Sequence, residues 1–446
     1  MEVGIRSALF IFVCLIIPVQ AIASGYGVFT QGASGLGQAN AVVAHTTGPS
    51  SAYFNPALLN DVPGTQVEFG TTAVYSDREI DFDGGGKENG DSAWNFPSTF
   101  YLSHQINDKF TTGLAVFFPF GLSNEWDDDY EGRYIGTEGE LFSVNINPSI
   151  SWRVNDRLSL AGGVSAVYLD STLKSKINQT AAYQLLQLQG APLPPLPPGV
   201  ELNDIEQKFE GDEWGFGFNL GMHAKVTDKI SFGAAYRSEI DIDVEGADVK
   251  FSGVNPFLTS AFPNTKGDAD ITLPQQFVAG VAAQLTDDLI VEVGLRWEDW
   301  NSTDELKVEL ATPVFNQPNQ IVPRDWHSTW TYNIGGQYQL NETVALNAGY
   351  LYGQNAVPGS TLEPVIPDSD AHLFCVGTDL NFGQWTISGA FSYEYHDTRS
   401  KNNNIGDPLG SALASAIAGT PVTVGTANGD YDTDIYLFAL SLGYAF

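Results

Sequence analysis

The sequence predicts an all-β protein: a 14-stranded antiparallel transmembrane β-barrel with an N-terminal hatch plugging the lumen. Three observations predict it. They are an export signal with no long apolar segment after it, a composition rich in glycine and aromatics but poor in charge, and a two-residue hydrophobic alternation cut by short turns.

The chain opens with Arg6, an apolar run from Ala8 to Val19 and the small residues Ala21-Ile22-Ala23. That order is a secretory signal, so residues 1–23 are expected to be removed and the mature chain to leave the cytoplasm. A lipoprotein reading of Cys14 is poor, because the bulky Val13 precedes it and the apolar run continues past it. Cys375 is then the sole mature thiol, and an intramolecular disulfide is excluded. No later stretch approaches the roughly 18 to 20 consecutive apolar residues that a spanning helix needs.

The composition points the same way. With 46 Gly, 27 Phe, 18 Tyr and 9 Trp, the chain carries only 16% charged residues, as suits a membrane barrel with aromatic girdles at both lipid interfaces. A soluble chain of 446 residues divides into two or three domains, whereas a barrel holds the same length in one. The net charge of −33, with only 20 Lys plus Arg, excludes nucleic acid as a partner, because phosphate binding needs a basic surface. Acidic runs such as Asp127-Asp128-Asp129 fall between strands and read as solvated loops; bridging of lipopolysaccharide through divalent cations is the alternative.

Strands are counted from turns. At the C-terminus Tyr436, Phe438, Leu440, Leu442, Tyr444 and Phe446 alternate with mostly small residues, which is a strand with one greasy face. Six short turns separate other alternating runs: Asn107-Asp108-Lys109, Asn155-Asp156-Arg157, Thr227-Asp228-Lys229, Thr286-Asp287-Asp288, Asn341-Glu342-Thr343 and Asn381-Phe382-Gly383-Gln384. Each is a hairpin by its length. Six hairpins give twelve strands, and the lone runs at Val67–Tyr75 and at the C-terminus bring the total to fourteen. The long connections, at about 76–97, 119–142, 170–212, 238–273, 299–328, 353–371 and 396–433, then lie on the outer side. Residues 66–446 are assigned to the barrel. Residues 24–65, rich in Gly, Ala and Ser without a period, are expected to fill a lumen too wide for wall side chains alone.

Ser34-Gly35-Leu36-Gly37-Gln38-Ala39 and Asn55-Pro56-Ala57 resemble the hatch of the FadL family of outer-membrane transporters for long-chain fatty acids and other hydrophobic compounds. Trp214-Gly215-Phe216-Gly217-Phe218, Tyr236-Arg237-Ser238-Glu239, Leu273-Pro274, Ile366-Pro367-Asp368-Ser369-Asp370 and Tyr444-Ala445-Phe446 continue the resemblance in order along the mature chain. It implies a fourteen-stranded barrel in the bacterial outer membrane, with hatch residues Tyr26, Asn55, Pro56 and Ala57. It also implies passive uptake of long-chain fatty acids or similar molecules through external apolar loops, an internal pocket and an opening in the barrel wall. Uptake of aromatic or aliphatic hydrocarbons is the alternative within transport, and a general porin or surface adhesin the alternative outside it. The expected partners are the hydrophobic ligand, outer-membrane lipid and lipopolysaccharide, and the chain is expected to act as a monomer.

Individual motifs have plainer and sharper readings. Gly25-Tyr26-Gly27 and Gly215-x-Gly217 do not complete a dinucleotide-binding G-x-G-x-x-G between a strand and a helix. No G-x-S-x-G elbow and no H-E-x-x-H occurs, so no catalytic residue, metal ligand or cofactor is assigned; a lipase or protease with Ser and His far apart is the enzymatic alternative. Phe117-Phe118-Pro119-Phe120-Gly121 interrupts the third strand, since proline cannot donate to a ladder and glycine weakens one. The resemblance places a kink and wall opening there, with Gly121 matching the family's glycine and Pro119 an addition of this chain. In the outer loops, Tyr183, Leu185, Leu186 and Leu188, before a Pro-rich run, and Phe257, Leu258 and Phe262 read either as self-packing or as a ligand groove. The resemblance implies the groove. A fatty-acid carboxylate needs a cation in a dry pocket; Lys174, Lys176 and Arg324 are the candidates near the family's basic positions, where Ser175 and Val322 stand at the likeliest matches.

Overall fold

The structure, a computed structural model, describes residues 25–92 and 94–446; the expected signal peptide and its cleavage site lie outside the described residues. Fourteen antiparallel strands close into a barrel. The first strand is Thr65–Phe82 and the second Ser98–Gln105. The third is split into Phe110–Phe117 and Gly121–Glu125. Glu138–Asn155, Leu158–Ile177 and Ile205–Lys225 follow as strands four to six.

Strands seven to ten are each built from two segments. The seventh joins Ile230–Arg237 to Ile240–Ser252, and the eighth joins Thr265–Leu273 to Gln276–Gln284. The ninth joins Leu289–Glu298 to Glu305–Val314, and the tenth joins Gln317–Pro323 to Thr329–Gln339. Val344–Gly353, Ala371–Phe382, Trp385–His396 and Gly429–Ala445 complete the wall. The first and last strands pair from Gln66↔Ala445 to Phe82↔Gly429, which closes the sheet on itself.

The six short turns lie where the sequence places them, and at three of them the residue that opens the turn braces its backbone through two amides. Asn107 Oδ1 accepts the amides of Lys109 and Phe110, Thr227 Oγ1 those of Lys229 and Ile230, and Asn341 Oδ1 those of Thr343 and Val344. Each of these three turns thus satisfies its own backbone. Alternation then sorts the wall into two faces. Outward positions such as Phe69, Val164, Phe216 and Leu440 are more than half exposed, as a lipid-facing band requires, while the buried inward positions mix Ser, Thr and Asn with apolar side chains.

Two expectations change. The intervals 238–273 and 299–328 are not wholly loop, because strand segments run through both. Ile240, Ile242 and Val244 are buried, but the alternate Asp241, Asp243 and Glu245 are exposed to water rather than lipid, so a strand that rises above the bilayer has the composition of a loop. The barrel also begins one residue early, at Thr65.

Residues 25–62 are buried almost throughout and hydrogen-bond to the wall strands, consistent with a hatch. They form two short helices, Ala33–Gly37 and Ser51–Phe54, and a 3-10 turn at Pro56–Asp61. Carboxylates of the wall accept their donors: Glu292 takes Val43 N at 2.6 Å and Ala44 N at 3.0 Å, and Asp379 takes Ser34 Oγ at 2.9 Å.

Candidate functional site

Asn55 does two jobs at the end of the luminal segment. Its Nδ2 donates to Val43 O and to Met222 O of the sixth strand, both at 2.9 Å, while its Oδ1 accepts Ala57 N and caps the 3-10 turn. Pro56 occupies the first position of that turn, where its missing N–H leaves no donor unmet. Ala57 is fully buried, and its carbonyl accepts Ser151 Oγ of the fourth strand.

Tyr26 sits at the other end, in an aromatic cluster. Its ring centroid lies 4.8 Å from Trp300, 5.6 Å from Trp326 and 5.9 Å from Phe120. Above it opens a cavity of about 420 Å³, lined also by Leu122, Leu141, Leu173, Ile271, Arg324 and Ile366. Its volume falls within the roughly 300–1,000 Å³ of small-molecule pockets. Gly25 N, beneath the same cluster, donates to Asp368 Oδ2 at 3.0 Å, and Ala356 N donates to that oxygen at 2.7 Å. Burial raises the Asp368 carboxyl above its usual range, against these two donors, which lower it.

The third strand breaks beside Tyr26. Its ladder to the second strand ends at Phe100↔Val116, and Phe118 to Phe120 belong to no strand. Their backbone turns inward instead. Val28 N donates to Pro119 O at 3.0 Å, Gly121 N to Tyr26 O at 2.9 Å, and Gln31 Nε2 to Phe118 O at 2.7 Å. Opposite the fourth strand, Phe117 faces Asn145 and Gly121 faces Phe142, so one extra residue is accommodated here as in a bulge.

The candidate cations are not brought together. Lys174 pairs with Glu138, its register partner, and Lys176 with Asp128 at 2.9 Å and Glu206 at 3.1 Å. Lys176 lines a separate polar cavity of about 650 Å³ among the outer loops. Arg324 does reach the cavity above Tyr26, but it is buried in an ion pair with Glu363. Of the seven outer-loop apolar residues, Tyr183, Leu185, Leu258 and Phe262 are buried and Leu186 packs against them, while Leu188 and Phe257 are 65% and 57% exposed. Tyr183 OH donates to Pro194 O at 2.7 Å. Self-packing therefore uses most of this surface.

Sequence reasoning missed Trp300, Trp326, Glu292 and Arg296. The two tryptophans lie in a stretch read as outer loop, where burial has no period to announce it. Glu292 and Arg296 had a legible signal: charges at the inward parity of a strand whose other parity carries exposed Val293. Ser369, His396 and Glu394 form a buried chain, with Ser369 Oγ 3.2 Å from His396 Nδ1 and His396 Nε2 2.9 Å from Glu394 Oε1. A hydrolytic triad sets the serine on Nε2 and the carboxylate on Nδ1, the reverse of this order.

The family described as outer membrane protein transport protein (OMPP1/FadL/TodX) matches residues 14–446. The chain belongs to this family. Its members are outer-membrane transport proteins. The chain is 28% identical over 453 residues to outer membrane protein P1 of Haemophilus influenzae, covering 93% of each. It is also 28% identical over 411 residues to a long-chain fatty acid transport protein of Escherichia coli, covering 85% of this chain and 88% of that one. Among solved structures, a Pseudomonas aeruginosa FadL homologue superposes with a TM-score of 0.81 at 21% identity, over 95% of this chain and all of that one. The toluene transporter TodX of P. putida gives 0.69 at 17% identity, over 95% and 99%. These likenesses carry the fold, and the outer membrane is this FadL-family chain's location.

Proposed function

We propose that this FadL-family barrel takes up long-chain fatty acids or similar hydrophobic molecules across the outer membrane, by passive diffusion through its wall. The observation that carries this reading is the third-strand break, where a luminal segment pairs with wall backbone that the second strand has released. Ligand collects at the exposed Leu188 and Phe257, moves into the cavity above Tyr26, and leaves sideways beside Pro119 and Gly121 when residues 26–31 shift. Burial of the chain supplies the affinity, at roughly 0.8 kcal/mol per CH₂. Sideways release avoids returning an apolar chain to water.

A second reading, uptake of neutral hydrocarbons, is favoured by charge. The cavity above Tyr26 is lined by Glu140, Asp268, Asp270, Asp304, Glu305 and Glu309 but only by Lys307 and Arg324 as cations. Such a rim repels a carboxylate and is indifferent to toluene.

Uptake of radiolabelled palmitate and toluene by cells carrying the chain in a transport-deficient outer membrane tests both readings. Palmitate accumulation supports the first and toluene alone the second. Accumulation of neither removes both.

A further inference from the structure

Below Tyr26, between the luminal segment and the wall, lies a second cavity of about 50 Å³. Arg237 of the seventh strand and Arg296 of the ninth line it, with Phe29, Tyr53 and Phe54. The Arg237 guanidinium lies 4.9 Å from the ring centroids of both Tyr53 and Phe117, and its Nη2 donates to Tyr53 O at 2.7 Å. Its other polar neighbour is Asn147 Oδ1 at 3.5 Å. Among the described residues no carboxylate forms an ion pair with Arg237.

Arg296 lies over the Phe29 ring at 5.0 Å and donates Nη2 to Glu298 Oε1 at 2.8 Å, an oxygen that Gln276 Nε2 also reaches at 2.9 Å. Its buried Nε has no hydrogen-bond partner. Of the two guanidiniums, then, only that of Arg296 meets a carboxylate, in an enclosure of aromatic, aliphatic and uncharged polar side chains. A buried cation without a counter-charge is costly, and the planar guanidinium fork fits a carboxylate.

Size and position say which part of a ligand belongs here. The cavity is far smaller than the upper one and has room for a few water molecules, enough for a head group and too little for a long alkyl chain. Phe117, on which Arg237 stacks, is the last residue of the third strand before its break. Phe29 closes the cavity three residues along from Tyr26, the floor of the upper cavity. The charge also inverts along this path, from an acidic rim above to an excess of cation below.

We propose that Arg237 and Arg296 form a transit site for the carboxylate head group of an amphipathic ligand, held there while its chain passes the third-strand break. The assignment rests on the uptake reading and names the head group that reading leaves open.

The test is equilibrium binding of palmitate and of hexadecanol, its neutral analogue of equal chain length, to the full chain folded in detergent at pH 8. Wild type is expected to bind palmitate at least about tenfold more tightly, the worth of one charge-assisted hydrogen bond. Arg237→Gln should abolish that preference and leave hexadecanol unchanged, while Arg237→Lys keeps part of it. Val278→Asp, which sets a carboxylate into the same cavity without touching either arginine, should abolish it too and serves if Arg237→Gln fails to fold. The site is overturned if wild type binds both ligands without preference, if both variants keep the preference, or if hexadecanol affinity falls equally. Binding of neither ligand by wild type overturns the uptake reading and the site together, and is distinct from all three.

Discussion

Gly233 shows how tightly single positions are specified. A Cβ built there would lie 1.9 Å from Val43 O, so only glycine lets the luminal backbone lie against the seventh strand. Gly335 does the same for Gln38 O on the tenth strand, at 2.0 Å. Overpacking costs about 1–3 kcal/mol, and the wall, tied on both sides by ladders, yields less than the segment lying on it. Gly233→Val is therefore expected to leave a folded, heat-modifiable barrel with displaced luminal residues. Planar-bilayer recordings should show ion conductance several times that of wild type; unchanged conductance would mean the segment accommodates the side chain. Lys401, in the last outer loop, is a second such position. Its buried Nζ donates to Asn403 Oδ1, Ile405 O, Thr426 O and Asn428 Oδ1. Burial pushes it down to about 8 from the usual 10.5, partly opposed by Glu363. Below pH 8 the lysine is charged whether the loop is closed or open. Between about 8 and 10.5 the open loop binds the proton and the closed loop releases it, so closure is favoured as pH rises. Nicking of the loop by a protease, corrected for its own pH profile, should slow between pH 7.5 and 9.5, and acceleration would contradict the assignment.

At the scale of the element, the third strand is decided by register. From Phe117 to Gly121 it advances four residues while its partner advances three, from Asn145 to Phe142. Deleting Pro119 equalises the two and removes a residue with no amide to donate. The shortened strand is expected to pair without interruption, raising barrel stability and abolishing uptake of whichever ligand the wild type carries. Retained uptake would separate the break from the exit. Pro119 and Gly121 were legible as ladder breakers; that the released backbone pairs with Tyr26 and Val28 was not, because nothing in either segment's own pattern names the other.

For the whole molecule, the wall and the luminal segment are separable in principle. The wall closes through its own ladders, and residues 25–62 hang on it through Asn55, Glu292, Asp379 and close glycine contacts. A lumen of fourteen strands is too wide for wall side chains to fill. Deletion of residues 25–62 should give a barrel that still shifts on heating and conducts ions as an open pore. Conductance equal to wild type would mean that the outer loops alone seal it.

The sequence by itself determined the strand number and the places of the short turns. These are local properties: a period of two, turn residues that satisfy their own backbone, and the even count that a closed barrel demands. The ladder breakers Pro119 and Gly121 are readable for the same reason, whereas Asn55 and Pro56 stand out only through the resemblance to the FadL family. Tertiary structure alone decided which cations stay available. Arg324, Lys174 and Lys176 meet Glu363, Glu138, Asp128 and Glu206 across the fold, whereas Arg237 meets aromatic rings, and charge pairing between residues 30 or more positions apart leaves no trace in the order of residues around either one.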